Sequence, residues 1–183
     1  ELEYAELLSR TAGVAEHRTL LMDLRPVSNS PLVDDTLKTP AASAKLQART
    51  VVPLRNMLFV TLAAAYAETL GIDEIFVAPV RDDYESYRDC RREFYDSLEG
   101  SLNIGSTKDR LVRLHTPFVD KWKTEVVEIG LSLGVPYELT HTCYEGKRPA
   151  CGICDACVER VRAFKKNRSP DPLEYEIEVD WAS

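Results

Sequence analysis

Apolar positions recur along this chain first at a helical period and then at an extended one, which predicts helices alternating with strands. Leu2, Ala5, Leu8 and Ala12 share one face of a helix already running at the first residue and closed by Gly13. A helix that starts uncapped predicts a further segment upstream of Glu1. His17 to Leu24 reads as a short apolar strand. Arg25 to Thr50 is rich in Pro, Ser, Asp and Thr without a sustained period, and reads as a long surface loop, helical in part around Ala41 to Ala48.

Met57 to Leu70 is apolar on nearly every face and closed by Gly71, which predicts a helix buried all round. Glu74 to Val80 is a continuous apolar run of the parallel-sheet kind. A polar loop over Arg81–Arg91 leads into a helix around Arg92 to Leu102. Arg110 to Leu114 is the next strand, followed by a helix from about Lys121 to Leu133 that Gly134 stops. Tyr137 to Leu139 reads as a short extended piece, and Val158 to Lys166 as a basic amphipathic helix. The tail from Ser169 is acidic and contains proline, and is expected to be poorly ordered. Strands alternating with helices predict an α/β fold built on a parallel sheet. No internal repeat is visible.

Charge narrows the partners. A net charge of −7 argues against a broad basic surface for nucleic acid, leaving room only for a local patch. No apolar run approaches the roughly 20 residues of a membrane span, and no export signal is visible. Five cysteines, four of them clustered, suit a reducing cytoplasm.

The clustered four are Cys143, Cys151, Cys154 and Cys157, the last three at successive Cys-x-x-Cys spacings. Two intervening residues allow a tight turn that aims both sulfurs at one point, and Zn²⁺ takes four soft ligands as a tetrahedron. Gly152 relieves crowding in that turn, and Pro149 stiffens the approach. Two disulfides would need an oxidising compartment. Iron–sulfur clusters use different cysteine runs, and a redox pair does not need four thiols in one span. Structural zinc is the reading. With four protein ligands the metal has no open position for water and serves as a staple.

Outside the cysteines, two polar clusters fall where ligands bind in open α/β sheets, beyond the strands' carboxyl ends. Arg55 and Asn56 open the apolar helix, where free N–H groups and the dipole favour an anion. An alternative leaves Asn56 as a helix cap and Arg55 solvated. The loop after Val80 offers Asp82, Asp83, Asp89, Cys90 and Arg91. There a carboxylate beside a guanidinium can read a polar heterocycle, or form an ordinary exposed ion pair. Cys90 has no readable triad partner, and His17, His115 and His141 make no metal spacing.

These pieces together resemble the 7-cyano-7-deazaguanine synthase family. The resemblance is carried by Val52-Pro53-Leu54-Arg55-Asn56, Tyr87…Asp89-Cys90-Arg91…Glu93-Phe94, Lys123-Thr124-Glu125, Gly134 through Thr140, Cys143-Tyr144 and Cys151 through Cys157, in order from about Glu1 to Asp171. It implies a PP-loop ATP pyrophosphatase with a Rossmann-like parallel sheet of the adenine nucleotide alpha-hydrolase type. Residues 1–140 would be the nucleotide-binding part, lacking its N-terminal portion, and 141–183 the zinc-bound helical segment. The implied reaction is conversion of 7-carboxy-7-deazaguanine, ATP (with Mg²⁺) and ammonia into the nitrile used for queuosine and archaeosine, releasing AMP and pyrophosphate. The implied substrate or nucleotide contacts are Arg55, Asn56, Asp89, Arg91 and Lys123, with Asp89 and Arg91 beside the base. No nucleic-acid or membrane partner is implied, and a homodimer is one assembly the reading allows.

Three departures stand out. The family's Ser-Gly-Gly-x-Asp-Ser loop is absent and is expected just upstream of Glu1. Leu54 stands where the family has glycine. Pro79-Val80-Arg81-Asp82 and His141-Thr142 replace stretches that are normally different. Two further readings follow: a divergent relative that stops at the amide or joins the base to another amine, and a non-catalytic zinc-bearing binding module using Val158–Lys166.

Overall fold

Two short parallel strands frame the computed structural model, which describes residues 2–34, 36–42, 50–107 and 111–181. The chain forms two compact units, Val52–Lys123 and Glu1–Val51 with Thr124–Ser183.

In the Val52–Lys123 unit, β1 (Glu74–Phe76) pairs in parallel with β2 (Arg113–His115), Ile75 lying opposite Leu114 and Phe76 opposite His115. The apolar run continues to Val80, but pairing stops after Val77, whose N–H donates to His115 O at 2.9 Å. Pro79 has no N–H to carry the ladder on. Side chains of α3 (Arg92–Gly105) satisfy the other side of β2. Leu114 N–H donates to Glu99 Oε2 at 2.6 Å, and the Asn103 amide bonds both the N–H and the carbonyl of Val112. These buried backbone groups are therefore paired without a further strand.

The helix α2 (Arg55–Leu70) buries Val60, Ala64 and Ala67, spaced at i, i+4 and i+7, against the strands and α3. Burial all round is not what forms. Phe59 is 55% exposed and Leu70 50%, with Met57, Leu62 and Tyr66 also exposed. Small alanines let one face approach the sheet closely, and no described element covers the opposite face.

The second unit holds α1 (Leu2–Thr11), most of α4 (Lys123–Ser132) and α5 (Asp155–Lys166). The face α1 buries carries Tyr4 and, partly, Leu8, while Leu2, Ala5 and Ala12 stay exposed. Residues 17–24 form no strand. Leu20 and Leu21 are 68% and 85% exposed, because no described residue offers them a backbone edge. The helical stretch expected at 41–48 lies mostly outside the described residues. Tyr137–Leu139 is a single 3-10 turn, not an extended piece, closed by Thr140 N–H onto Tyr137 O.

The tail is ordered, contrary to its composition. Ala150 accepts from Glu176 N–H and donates to Glu174 O, so Tyr175 runs beside Ala150 and packs on the cysteines. Trp181 covers a cluster of Val127, Ala163 and Phe164, which Tyr137 also meets. Gly130 allows the Tyr137 contact, since a Cβ there would lie 2.1 Å from the phenol oxygen. Among the described residues, no helix is long and apolar enough to cross a membrane.

Candidate functional site

Local chain direction brings the four clustered cysteines together. Cys143 follows the 3-10 turn, Cys151 follows the Ala150 bridge, Cys154 caps the start of α5, and Cys157 lies in its first turn. Gly152 sits between them at φ +74, a left-handed conformation. A Cβ there would also meet Ile177 Cγ1 at 2.4 Å, so both backbone and packing ask for glycine.

All four thiols are at most 3% exposed, none is in a disulfide, and their sulfurs lie within 4.8 Å of one another. A zinc tetrahedron with bonds of about 2.3 Å has sulfur–sulfur edges of about 3.8 Å, and Cys151 and Cys157 are 3.9 Å apart. Backbone N–H groups of Cys151 and Cys154 point at Cys143 Sγ and Cys151 Sγ, each at 3.4 Å. A hydrogen bond from the Cys157 thiol, then the N–H groups of Tyr144 and Cys157, pull Cys154 down to about 5. Donating that hydrogen bond, with burial, pushes Cys157 up. Four buried sulfurs at this spacing fit a divalent, thiophilic ion, and the four residues would supply its whole shell.

His141 is not part of that shell. Its Nε2 bonds to Lys147 O at 3.0 Å, bracing the Cys143–Cys151 loop, and its ring stacks on Tyr4 at 5.0 Å.

A second cluster lies in the Val52–Lys123 unit at the amino end of α2. Leu54 precedes the helix at φ 54 and ψ 25, the left-handed conformation that suits the glycine of the family pattern. Asn56 does not cap its own helix. Asp89 reaches over from the loop, its Oδ2 accepting Asn56 N–H at 3.1 Å. The Asn56 amide returns two bonds, to Asp89 O at 3.0 Å and Cys90 Sγ at 3.3 Å. Arg91 is turned onto backbone, donating through Nε and Nη2 to Tyr84 O at 3.0 and 2.8 Å, which closes the 84–91 loop. Lys123 N–H is held by Asp82 Oδ2 at 2.6 Å, and Arg81 N–H by Lys121 O at 2.9 Å.

The five residues expected from the sequence are all half-buried here. Asn56 and Asp89 are joined by hydrogen bonds, Arg55 adjoins Asn56 at the start of α2, Lys123 is held through its N–H by Asp82, and Arg91 shapes the loop. Beside them Cys90, 4% exposed, and Tyr95, 3% exposed, are buried. Burial first, then the charges of Asp83 and Asp89, push the Cys90 thiol up to about 12, which removes it as a nucleophile. Sequence spacing did not single out Asp83 from the loop's other carboxylates. Its distinguishing feature is burial, which raises its carboxyl above the ordinary value despite the pull of Lys123 and Arg55.

The chain is matched over residues 1–168 by the family model described as queuosine biosynthesis protein QueC. It is 40% identical over 185 residues to a 7-cyano-7-deazaguanine synthase of Clostridium kluyveri, covering 97% of this chain and 81% of that protein. The synthase of Thermoplasma acidophilum is 37% identical, covering 96% of this chain and 76% of the relative. That of Chlorobium phaeobacteroides is 33% identical, covering 99% and 81%. With the four-thiol cluster and the Arg55–Asn56–Asp89 constellation falling inside the matched span, the chain belongs to the queuosine biosynthesis protein QueC family.

Proposed function

We propose that the protein is a cytoplasmic, ATP-dependent carbon–nitrogen ligase making 7-cyano-7-deazaguanine from 7-carboxy-7-deazaguanine and ammonia. The observation that carries this, within a chain of this family, is the amino end of α2. It has no side-chain cap of its own, Arg55 stands beside it, and Asp89 and Cys90 are tied to Asn56.

A carboxylate is a poor electrophile. Its oxygen attacks the α-phosphorus of Mg²⁺-bound ATP, pyrophosphate leaves, and ammonia displaces AMP to give the amide. The amide oxygen is adenylated in turn by a second ATP, and loss of AMP and a proton leaves the nitrile. Positioning and neutralisation of phosphate charge carry most of such a reaction. Arg55 would neutralise anionic groups, with Lys123 a second cation. Asn56 and Asp89 fix where the helix begins, and Arg91 shapes the loop beside the base. The fold would be of the adenine nucleotide alpha-hydrolase type. Residues 1–140 would then be the nucleotide-binding part, and 141–183 a segment stapled by zinc through Cys143, Cys151, Cys154 and Cys157.

Incubation with ATP, ammonia and 7-carboxy-7-deazaguanine should release AMP and pyrophosphate and yield the nitrile. ADP and phosphate as products would overturn the adenylation chemistry. Accumulation of the amide alone would place the protein among relatives that stop one step earlier.

A further inference from the structure

The helix α5 has two faces. Cys157, Arg160, Ala163 and Phe164 are buried. Val158, Val161, Arg162, Lys165 and Lys166 recur at i, i+3, i+4, i+7 and i+8, the stripe of a single helix face. All five line a groove of about 790 Å³ whose other wall is the tail, within the unit that holds α5 and the cysteines.

The lining is apolar in one part and charged in another. Val158, Val161 and Ile177 supply the apolar part, Val158 being 43% exposed and Ile177 42%. Arg162, Lys165, Lys166 and Arg168 bring four positive charges against the two negative ones of Glu178 and Asp180, in a chain whose net charge is −7. Lys165 and Lys166 stand in the last turn of α5, where cations complement the helix dipole. Arg162 lies a turn earlier, so the dipole does not account for it. Arg162, Lys166 and Arg168 are all exposed, and none forms an ion pair with a described residue.

The tail wall is an open edge. Its pairing with Ala150 ends at Glu176, and Ile177, Glu178 and Val179 make no hydrogen bond to a described residue. Their peptide groups are left to water or to a partner. Ile177 packs so closely on Gly152 that a Cβ there would lie 2.4 Å away, which holds this edge against the cysteine segment.

We propose that this groove docks a short extended segment of a partner protein, acidic and carrying apolar side chains. The apolar side chains would cover Val158, Val161 and Ile177, and the carboxylates would meet Arg162, Lys166 and Arg168. The main chain would pair with Ile177–Val179, as when a peptide adds to an exposed edge. A volume within about 300–1,000 Å³ seats a short segment and not a folded domain. Nucleic acid suits the groove less, because Glu178 and Asp180 would face its phosphates. None of these residues belongs to the proposed ATP and base site, so the docking does not depend on it.

Random short peptides displayed on phage, selected on the purified protein, provide the test. Sequences combining Asp or Glu with Leu, Ile, Val or Phe should be enriched. A selected peptide, made synthetically and followed by fluorescence anisotropy, should bind about 10-fold or more tightly than its Asn/Gln counterpart. The double variant Arg162→Glu with Lys166→Glu should lose about 10-fold or more in affinity, since it sets like charges together. Val158→Asp should weaken the peptide as well. These substitutions fall on exposed side chains, thermal unfolding checks each variant's fold, and the Asn/Gln peptide probes the same contacts on the unmodified protein. No enrichment of acidic sequences, or equal binding of the selected peptide and its Asn/Gln counterpart, overturns the docking. So does single-stranded RNA of the same charge that displaces the peptide at an equal or lower concentration, which would make the groove a polyanion site.

Discussion

Arg160 and Asp171 form a two-pronged ion pair, Nε to Oδ2 at 2.5 Å and Nη2 to Oδ1 at 2.8 Å, with side chains 5% and 0% exposed. The pair anchors the acidic tail to α5, one helical turn beyond Cys157. Arg160 also reaches Thr140 Oγ1 and Tyr137 O, while Asp171 accepts from Tyr175 Oη at 2.7 Å and Leu173 N–H at 3.1 Å. The segment before the cysteines, the helix after them and the tail thus share one polar knot. Partners on nearly every donor and acceptor are what make such burial tolerable.

Removing one partner of that pair should be costly. Asp171→Ala leaves the Arg160 guanidinium buried with only its two remaining acceptors, and should destabilise the protein by about 3–5 kcal/mol. Chemical denaturation measures it. A loss below about 1 kcal/mol would mean that the pair behaves as a surface contact.

The cysteine cluster should carry one zinc per chain. Metal analysis of the purified protein checks the stoichiometry. Cys154→Ser, or a strong chelator, should unfold at least the surroundings of α5, since structural zinc contributes on the order of 10 kcal/mol of apparent binding free energy, comparable with a domain's whole stability. Undisturbed far-ultraviolet dichroism after complete metal removal would contradict the staple.

Leu54→Gly should raise stability. Leu54 is 59% exposed and held at φ 54, so little burial is lost while the left-handed strain is relieved. That strain costs roughly 1–2 kcal/mol, and the freer unfolded chain of glycine offsets part of it. A net gain of about 0.5–1 kcal/mol is expected from denaturant titration, and a loss would show that the leucine side chain is packed.

Asp83→Asn should stabilise the protein at neutral pH. The carboxyl is raised above its ordinary 3.8, chiefly by burial, so the folded state holds the proton more firmly than the unfolded chain does. Ionising Asp83 therefore removes stability as pH rises from the ordinary value through the raised one. The variant's advantage in melting temperature should be present near pH 7 and vanish below about pH 4. An advantage that persists at low pH would assign the effect to something other than charge.

Cys90 should resist alkylation in the folded protein near pH 8. It is 4% exposed, and its thiol is pushed up to about 12. Rapid labelling without unfolding would show that the loop opens.

The sequence alone carried the alternation of strands and helices and the gathering of four cysteines. Two-residue gaps between cysteines constrain where sulfurs can point, whatever the rest of the chain does. It placed Arg55 with Asn56 and Asp89 with Arg91 in two separate polar clusters, and only the fold ties Asn56 to Asp89.

What it left undecided were partners distant along the chain. Residues 17–24 are apolar enough for a strand, but a strand is made by its neighbour's backbone, and composition cannot supply one. The helix α2 looks buried on every side, yet which face is covered depends on what packs there. The tail looks disordered by charge and proline, but Asp171 is the counterion of a buried arginine 11 positions earlier, and Tyr175 and Trp181 pack on separate apolar clusters. The loop's three aspartates are alike as letters. Only the tertiary structure separates them, setting Asp82 on the Lys123 N–H and Asp89 on the Asn56 N–H while burial takes water from Asp83, because solvation is a property of surroundings and not of sequence.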